Sequence, residues 1–326
     1  MEEQKRYDAG ITLSEKVESF IQQQKTSWPL AQKNYAGLEK VESKDFHFDG
    51  FKITVQFNLE RIRSSAAKTD TKSIQARACF LCGRNRPKEQ LGIDFMNKYT
   101  ILINPYPIFP KHLTIPFNEH QPQEIKPYFA DMLKLSMELP EFIIFYNGAK
   151  CGASAPDHFH FQAGSKKIMP VDTELNCITE KFGEQLFQNE KIIITAIGEN
   201  YLRKFILLKS YSEKELVQHF QNILNLLKER GQEGEPMMNI LANYNSGYWN
   251  VLLFPRDNQR PKQFFANADE QILISPASVE LGGLAILPRK EDFDKLTKTD
   301  LQDIYTQVTI NNHDFEQLKK KIKISL

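Results

Sequence analysis

Cysteine is scarce in this chain. Four thiols in 326 residues cannot build a disulfide-stapled scaffold. Charge of either sign is not in excess: 42 basic and 41 acidic residues leave a net charge of +1. No global field therefore draws in nucleic acid or an anionic membrane. Long apolar runs are missing too; none approaches the roughly 20 residues that a membrane-spanning helix needs. The start, Met1-Glu2-Glu3-Gln4-Lys5-Arg6, lacks the apolar core of a secretory leader. The expectation is a cytoplasmic protein with reduced thiols and no membrane or nucleic-acid partner. A hydrophobic content of 41% and a charged content of 25% are ordinary for a folded chain, and the length allows one large unit or two domains.

Read in order, Leu13 to Trp28 has a short amphipathic helical pattern opened by Ser14. After Asp49-Gly50, the residues Phe51, Ile53, Val55 and Phe57 alternate with polar ones, as in a half-buried strand. Ser64 to Ala76 reads as an irregular loop, followed by the Cys79-x2-Cys82 knuckle. Strands are expected over Tyr99–Asn104 and Leu113–Pro116, around a proline-stiffened turn. A helix is expected over Glu124–Leu139 and an apolar strand over Phe142–Tyr146.

In the second part, a hairpin turns at Gly198-Glu199-Asn200, and Ser212 with Glu215 opens a helix. Strands are expected at Trp249–Phe254, Gln271–Ile274 and Leu284–Leu287, then a helix capped by Thr299 with Gln302 and a solvated lysine-rich tail at 319–323. Hairpins and helices interspersed in this way predict an α+β fold with mainly antiparallel sheet and flanking helices. The chain also divides into two related halves. Residues 1–50 form an N-terminal helical extension, 51–170 a first half, and 185–326 a second half ending in helices.

The stretch with chemistry in it is His158-Phe159-His160-Phe161-Gln162. As a strand it places two imidazoles and an amide on one face and two aromatic rings on the other. Buried polar groups of that kind need partners or a function. The run before it, Asn147 to Asp157, holds two glycines, a serine and a proline. That is loop chemistry, with backbone N–H groups able to meet an anion. Cys79 and Cys82 have the spacing of a zinc ligand pair, and the competing reading is two unmetallated thiols.

A His-x-His-x-Gln strand behind a small-residue loop resembles the nucleotidyltransferase branch of the histidine-triad superfamily. That branch includes galactose-1-phosphate uridylyltransferase, diadenosine tetraphosphate phosphorylase and the GDP-hexose phosphorylases. The resemblance implies two fused histidine-triad-like half-barrels, with only the first keeping the catalytic strand. It implies a nucleotidyltransferase or phosphorylase that acts on a nucleoside diphosphate sugar, GDP-hexose-like, or on a dinucleoside polyphosphate. The alternatives are a non-catalytic nucleotide- or zinc-binding regulator of the same fold, or a nucleotide-conjugate hydrolase.

In such a reaction neutral imidazole is both nucleophile and leaving group at phosphorus, and a covalent route divides one hard step into two. His160, at the centre of the strand, is the expected nucleophile. A neighbouring acceptor must hold its other ring nitrogen protonated. Gln162 would donate its amide to a phosphate oxygen, and Gly152 and Ser154 would meet phosphate charge. In related hydrolases a third histidine stands where Gln162 does. Glutamine does not titrate, so the resemblance implies transfer to phosphate or a sugar phosphate.

By the same resemblance Asn104, Asn147, Gly148 and Arg61 bind nucleotide or phosphate, with structure and function equally weighted for His112. Glu280 and Arg289 belong either to the site or to a structural ion pair. The uridylyltransferase pattern gives a structural zinc set of Cys79, Cys82, His120 and His158, and no organic cofactor is expected. One departure is that Pro156-Asp157-His158 carries a residue more than the uridylyltransferases' Pro-His.

Overall fold

The computed structural model describes residues 10–62, 71–198, 200–231, 233–267 and 269–325. Its strands, in chain order, are β1 (Glu42–Phe48), β2 (Phe51–Phe57), β3 (Ile93–Phe95), β4 (Tyr99–Ile103), β5 (His112–Pro116), β6 (Phe142–Asn147) and β7 (His160–Ser165). The second half adds β8 (Gly183–Gln188), β9 (Ile192–Ile197), β10 (Phe205–Ser210), β11 (Met238–Asn245), β12 (Tyr248–Pro255) and β13 (Leu284–Leu287).

Two sheets result. The larger runs β3-β4-β5-β7-β6-β11-β12-β10-β9-β8, and the smaller β1-β2-β13. Every neighbouring pair in the larger sheet is antiparallel; β2 and β13 run parallel. The order is a mirror about the β6–β11 seam. Each side contributes five strands, so the fold is α+β with two matching halves joined edge to edge in one sheet, the arrangement that the expectation of two fused half-barrels requires. β12 occupies in the second half the place of β7 in the first.

Alternation decides which residues reach which side of this sheet. Phe159, Phe161 and Ala163 enter one core with Tyr99, Leu113, Ile144 and Tyr146. Helices Phe129–Glu138 and Glu213–Lys228 cover that side, and Phe129 stacks on Phe220 with ring centroids 3.7 Å apart. The other side carries His160 and Gln162 in the first half but Leu252 and Phe254 in the second, where they pack into a second core with β2 and β13. The small sheet therefore lies against the face that the histidine strand presents.

Several local expectations are corrected. Thr12, not Ser14, caps the helix Leu13–Ser27, through a reciprocal pairing with Glu15. Thr297 with Asp300, not Thr299 with Gln302, caps Lys298–Val308. The helix expected from Glu124 is regular only over Phe129–Glu138. Gln271–Ile274 has no strand partner; it is an extended segment whose Ile272 and Ile274 are buried. Of the loop expected at Ser64–Ala76, residues 64–70 lie outside the described residues, and Thr71–Gln75 is a short helix. The N-terminal extension is helical to Gly37, and Glu42–Phe48 is already a strand. The lysine-rich tail is helical and ion-paired, with Lys319 on Glu184 and Glu316. Among the described residues, no helix is long and apolar enough to cross a membrane.

Candidate active site

His160 opens β7, and its imidazole lines a cavity of about 720 Å³. Gln162, Asn104, Asn147, Gly152, Ser154 and Arg61 line the same cavity. The walls come from both halves: Ser275, Ala277, Val279, Glu280 and Ile286 close it from the C-terminal side, and Trp28 and Leu30 from the N-terminal helices. Gly148 is not among the lining residues; a Cβ there would lie 2.9 Å from the Met238 carbonyl, so it serves a close backbone approach. His158 is also outside the lining and belongs to the Cys79, Cys82, His120 and His158 cluster.

The protonation pattern of His160 follows from its contacts. Nδ1 lies 2.8 Å from the carbonyl of His158, so it carries the proton and donates. Nε2 then keeps its lone pair for the cavity. Burial pushes the imidazole pKa down to about 4, so the ring is neutral near pH 7. The main chain is clamped as well. Gln123 accepts from the His160 N–H at 2.8 Å and donates to the His160 and Asn147 carbonyls at 3.0 Å each. Tyr146 donates to the Gln123 carbonyl, and Glu235 accepts from Ile125 N–H and meets the Tyr146 hydroxyl.

Two side-chain amides beside His160 have their orientations fixed. The Ile108 N–H donates to His112 Nδ1 at 3.2 Å, which places the His112 proton on Nε2. That nitrogen is 3.2 Å from Gln162 Oε1, so the Gln162 oxygen accepts and its NH2 is left for the cavity. His112 is fully buried and stays neutral, burial and then the Arg61 charge pushing its pKa down to about 3. Asn147 Oδ1 likewise accepts from Ser278 N–H and Asn239 Nδ2, each at 2.9 Å, which leaves the Asn147 NH2 as a donor. Asn104 differs: its Oδ1 accepts from Tyr106 N–H and its Nδ2 donates to Thr114, so it holds the turn between β4 and β5 while lining the cavity.

The loop between Asn147 and His160 presses against the second half. Gly152 has φ +95° and a Cβ there would sit 2.5 Å from the Ala277 Cβ. Half-buried Arg61 and buried Glu280 also line the cavity. Arg61 donates to the Tyr106 carbonyl, and burial pushes its pKa down to about 10, the Glu280 charge opposing. Glu280 accepts from Ala277 N–H, and burial raises its pKa. The ion pair suggested for Glu280 with Arg289 does not form. Arg289 instead makes a two-pronged pair with Asp292, at 2.7 and 2.9 Å.

Cys79, Cys82, His120 and His158 bring their ligand atoms within 4.8 Å of one another. His158 Nδ1 lies 3.3 Å from the Cys79 sulfur and 3.5 Å from that of Cys82, and His120 Nδ1 lies 3.3 Å from Cys82. A zinc tetrahedron with bonds of about 2.0–2.3 Å has edges of about 3.3–3.8 Å, so these contacts suit the ion. The tautomers suit it too. His158 Nε2 donates to the Phe117 carbonyl at 2.8 Å, and His120 Nε2 faces Asp157 at 3.6 Å, which leaves both Nδ1 atoms as ligands. The set is a Cys2His2 cluster able to hold a metal such as zinc.

Sequence reasoning missed Gln123, Asn239, Ser278 and Arg77. None lies in a recognisable spacing; only contacts across 24 to 131 positions of chain reveal them. His112, left open between structure and function, is the residue that aims Gln162.

Two family models match the sequence. One, described as a domain of unknown function (DUF4922), covers residues 20–165; the other, described as GDPGP1-like, C-terminal domain, covers 178–326. No curated protein matches it. Among solved structures, yeast Ap4A phosphorylase Apa2 in complex with AMP aligns with a TM-score of 0.57 at 16% identity, over 90% of this chain and 97% of that one. The same enzyme in complex with Ap4A gives 0.58 at 14%, over 87% and 97%. A uridylyltransferase mutant gives 0.40 at 13%, over 77% and 93%. The yeast structures share this chain's fold over about nine-tenths of its length.

Proposed function

We propose that this chain, which matches a GDPGP1-like C-terminal domain and shares the fold of yeast Ap4A phosphorylase, belongs to the nucleotidyltransferase branch of the histidine-triad superfamily and is a nucleotidyltransferase of the phosphorylase type working through a nucleotidyl-His160 intermediate. The observation that carries the reading is the His160 tautomer. The proton is held on Nδ1 by the His158 carbonyl, and Nε2 stands at the cavity beside two amides whose oxygens are already engaged.

Nε2 attacks the α-phosphorus, and the bond from phosphorus to the bridging oxygen breaks, releasing the sugar phosphate or, from a dinucleoside polyphosphate, the other nucleotide with the remaining phosphates. An oxygen of an incoming phosphate then attacks the same phosphorus, the phosphorus–nitrogen bond breaks, and the imidazole is returned neutral. The amides of Gln162 and Asn147 donate to the non-bridging oxygens, where charge builds in both steps. Gly152 and Ser154 border the same phosphate, and Arg61 offsets its charge. A neutral imidazole fits this role better than a protonated one, whose Nε2 would have no lone pair.

A nucleoside diphosphate sugar, GDP-hexose-like, is the substrate class we favour, with a dinucleoside polyphosphate second. The GDPGP1-like domain supports the first. A buried carboxylate, Glu280, also gives the cavity an acceptor for the hydroxyls of a sugar. The yeast enzyme's AMP and Ap4A complexes support the second. Residues 51–170 would carry the chemistry and 185–326 would close the cavity, with zinc in the Cys2His2 cluster holding the base of the histidine strand. Incubating the protein with GDP-hexoses and diadenosine polyphosphates, with and without phosphate, tests this by product mass. The expected result is phosphate-dependent release of a nucleoside diphosphate, abolished in His160→Ala. Turnover independent of phosphate would instead indicate a hydrolase, and binding with no turnover a regulator.

A further inference from the structure

We infer that Arg77 is an anion anchor of the cavity, and that Asp157 is the positioning residue that ties it to the metal-ligand cluster. The inference rests on the reading that this cavity takes phosphorylated substrates.

Arg77 lines the cavity next to the glycine-serine loop. Its Nη2 donates to the Ser154 carbonyl at 3.1 Å and pairs with Asp157 Oδ1 at 3.4 Å. Its guanidinium carbon lies 5.0 Å from the centre of the Phe80 ring, and half-exposed Phe80 lines the cavity too. Nη1 is buried and has no hydrogen-bond partner. A guanidinium at the cavity wall, held on two sides and with one nitrogen still lacking a partner, is organised to receive an anion. Planar donors of this kind suit phosphate oxygens.

The second arm of Asp157 explains why the guanidinium stays in place. Oδ2 lies 3.6 Å from Nε2 of His120, whose Nδ1 faces Cys82. One carboxylate therefore spans a cavity cation and the outer nitrogen of a metal ligand. Loading the cluster fixes His120, His120 fixes Asp157, and Asp157 fixes Arg77. The anion is a phosphate group, either free inorganic phosphate as acceptor or the phosphate of a nucleotide distal to the nucleoside.

The test uses the full zinc-loaded chain as wild type and as Arg77→Ala, Arg77→Lys and Asp157→Asn. Each protein is titrated calorimetrically with inorganic phosphate, GMP and GDP. Zinc affinity is measured separately by competition with a chromophoric chelator, and thermal unfolding checks the fold. Arg77→Ala is expected to weaken phosphate or GDP by roughly 10- to 100-fold, the loss typical of a charged hydrogen-bond pair, with GMP within about twofold. Loss on inorganic phosphate assigns the anchor to the acceptor, and loss on GDP alone assigns it to the distal phosphate. Arg77→Lys should recover part of the loss, and it decides the matter if the alanine variant does not fold. Asp157→Asn should lower zinc affinity about tenfold, as removing an outer partner does, and weaken the same anion.

Arg77 variants that bind all three probes like the wild type would overturn the anchor, leaving the residue as packing for Phe80. Weakened zinc with unchanged anion binding in Asp157→Asn would overturn the coupling. If the wild type forms a nucleotidyl-His160 adduct while the Arg77 variants bind normally, only this inference falls. If the wild type binds none of the probes, the functional reading falls with it.

Discussion

His112 and Gln162 lie on neighbouring strands with Nε2 and Oε1 3.2 Å apart, and the histidine is the donor. A buried imidazole outside the cavity lining thus settles which end of the Gln162 amide meets the cavity. With His112→Phe, Gln162 can turn its oxygen inward and repel phosphate. We expect kcat/KM to fall roughly 10- to 100-fold, the cost of about one charge-assisted donor. Gln162→Ala should cost a similar factor, and the double variant little more than either alone, because the two act as one unit. Additive losses would show that His112 acts elsewhere.

The Cys2His2 cluster predicts one zinc per chain. Cys79→Ser or chelation should lower Tm by roughly 5 °C or more, since a ligand that binds only the folded state adds about 2.7 kcal/mol at a hundredfold excess over Kd. Differential scanning calorimetry with and without chelator reads this. An unchanged Tm together with no bound metal would mean that the thiols and imidazoles are packing alone.

Glu235 should make stability depend on pH in a particular direction. Burial pushes its pKa up to about 7, against the hydrogen bonds from Tyr146 and the Ile125 N–H, which lower it. The folded state therefore holds this proton more tightly than the unfolded chain does. The stabilisation is present below about pH 4.5 and is lost as pH rises through 7. The residue is partly exposed, so the effect is about 1–3 kcal/mol. Urea unfolding of Glu235→Gln should show a flatter profile than the wild type between pH 5 and about 7.5. Identical slopes would contradict the assignment.

Gly152→Ala places a methyl against Ala277 in a left-handed backbone conformation. A loss of about 1–3 kcal/mol in stability is expected. Activity should drop as well, because the loop and the 275–280 segment meet in the lining of one cavity. Parallel melting and turnover measurements would show both; loss of stability with normal kcat/KM would separate the loop from the site.

The parts of this site that were legible in the sequence are those with a short-range period or spacing. His158-Phe159-His160-Phe161-Gln162 announces its two faces by alternation, and Phe159 and Phe161 are buried where that alternation requires. Cys79 and Cys82 announce a ligand pair by separation. What was not legible depends on distant chain. Gln271–Ile274 has a strand's apolar pattern but no partner in the sheet, which the sequence cannot report. Gln123 is one polar residue in a polar loop, yet it clamps a backbone 37 positions away. Thr299 with Gln302 has the spacing of a cap, but the helix already starts at Lys298, so Thr297 with Asp300 caps it. The closure of the cavity by residues 275–286 joins ends of the chain that share no local signal.

Rapid-quench incubation of the wild type with nucleoside-labelled GDP-hexose in the absence of phosphate, followed by intact mass and peptide mapping, tests the central claim most directly. The account predicts an acid-labile, base-stable nucleotidyl adduct on the peptide bearing His160, discharged by added phosphate and missing in His160→Ala. Turnover without any adduct, or an adduct that persists in His160→Ala, would contradict it.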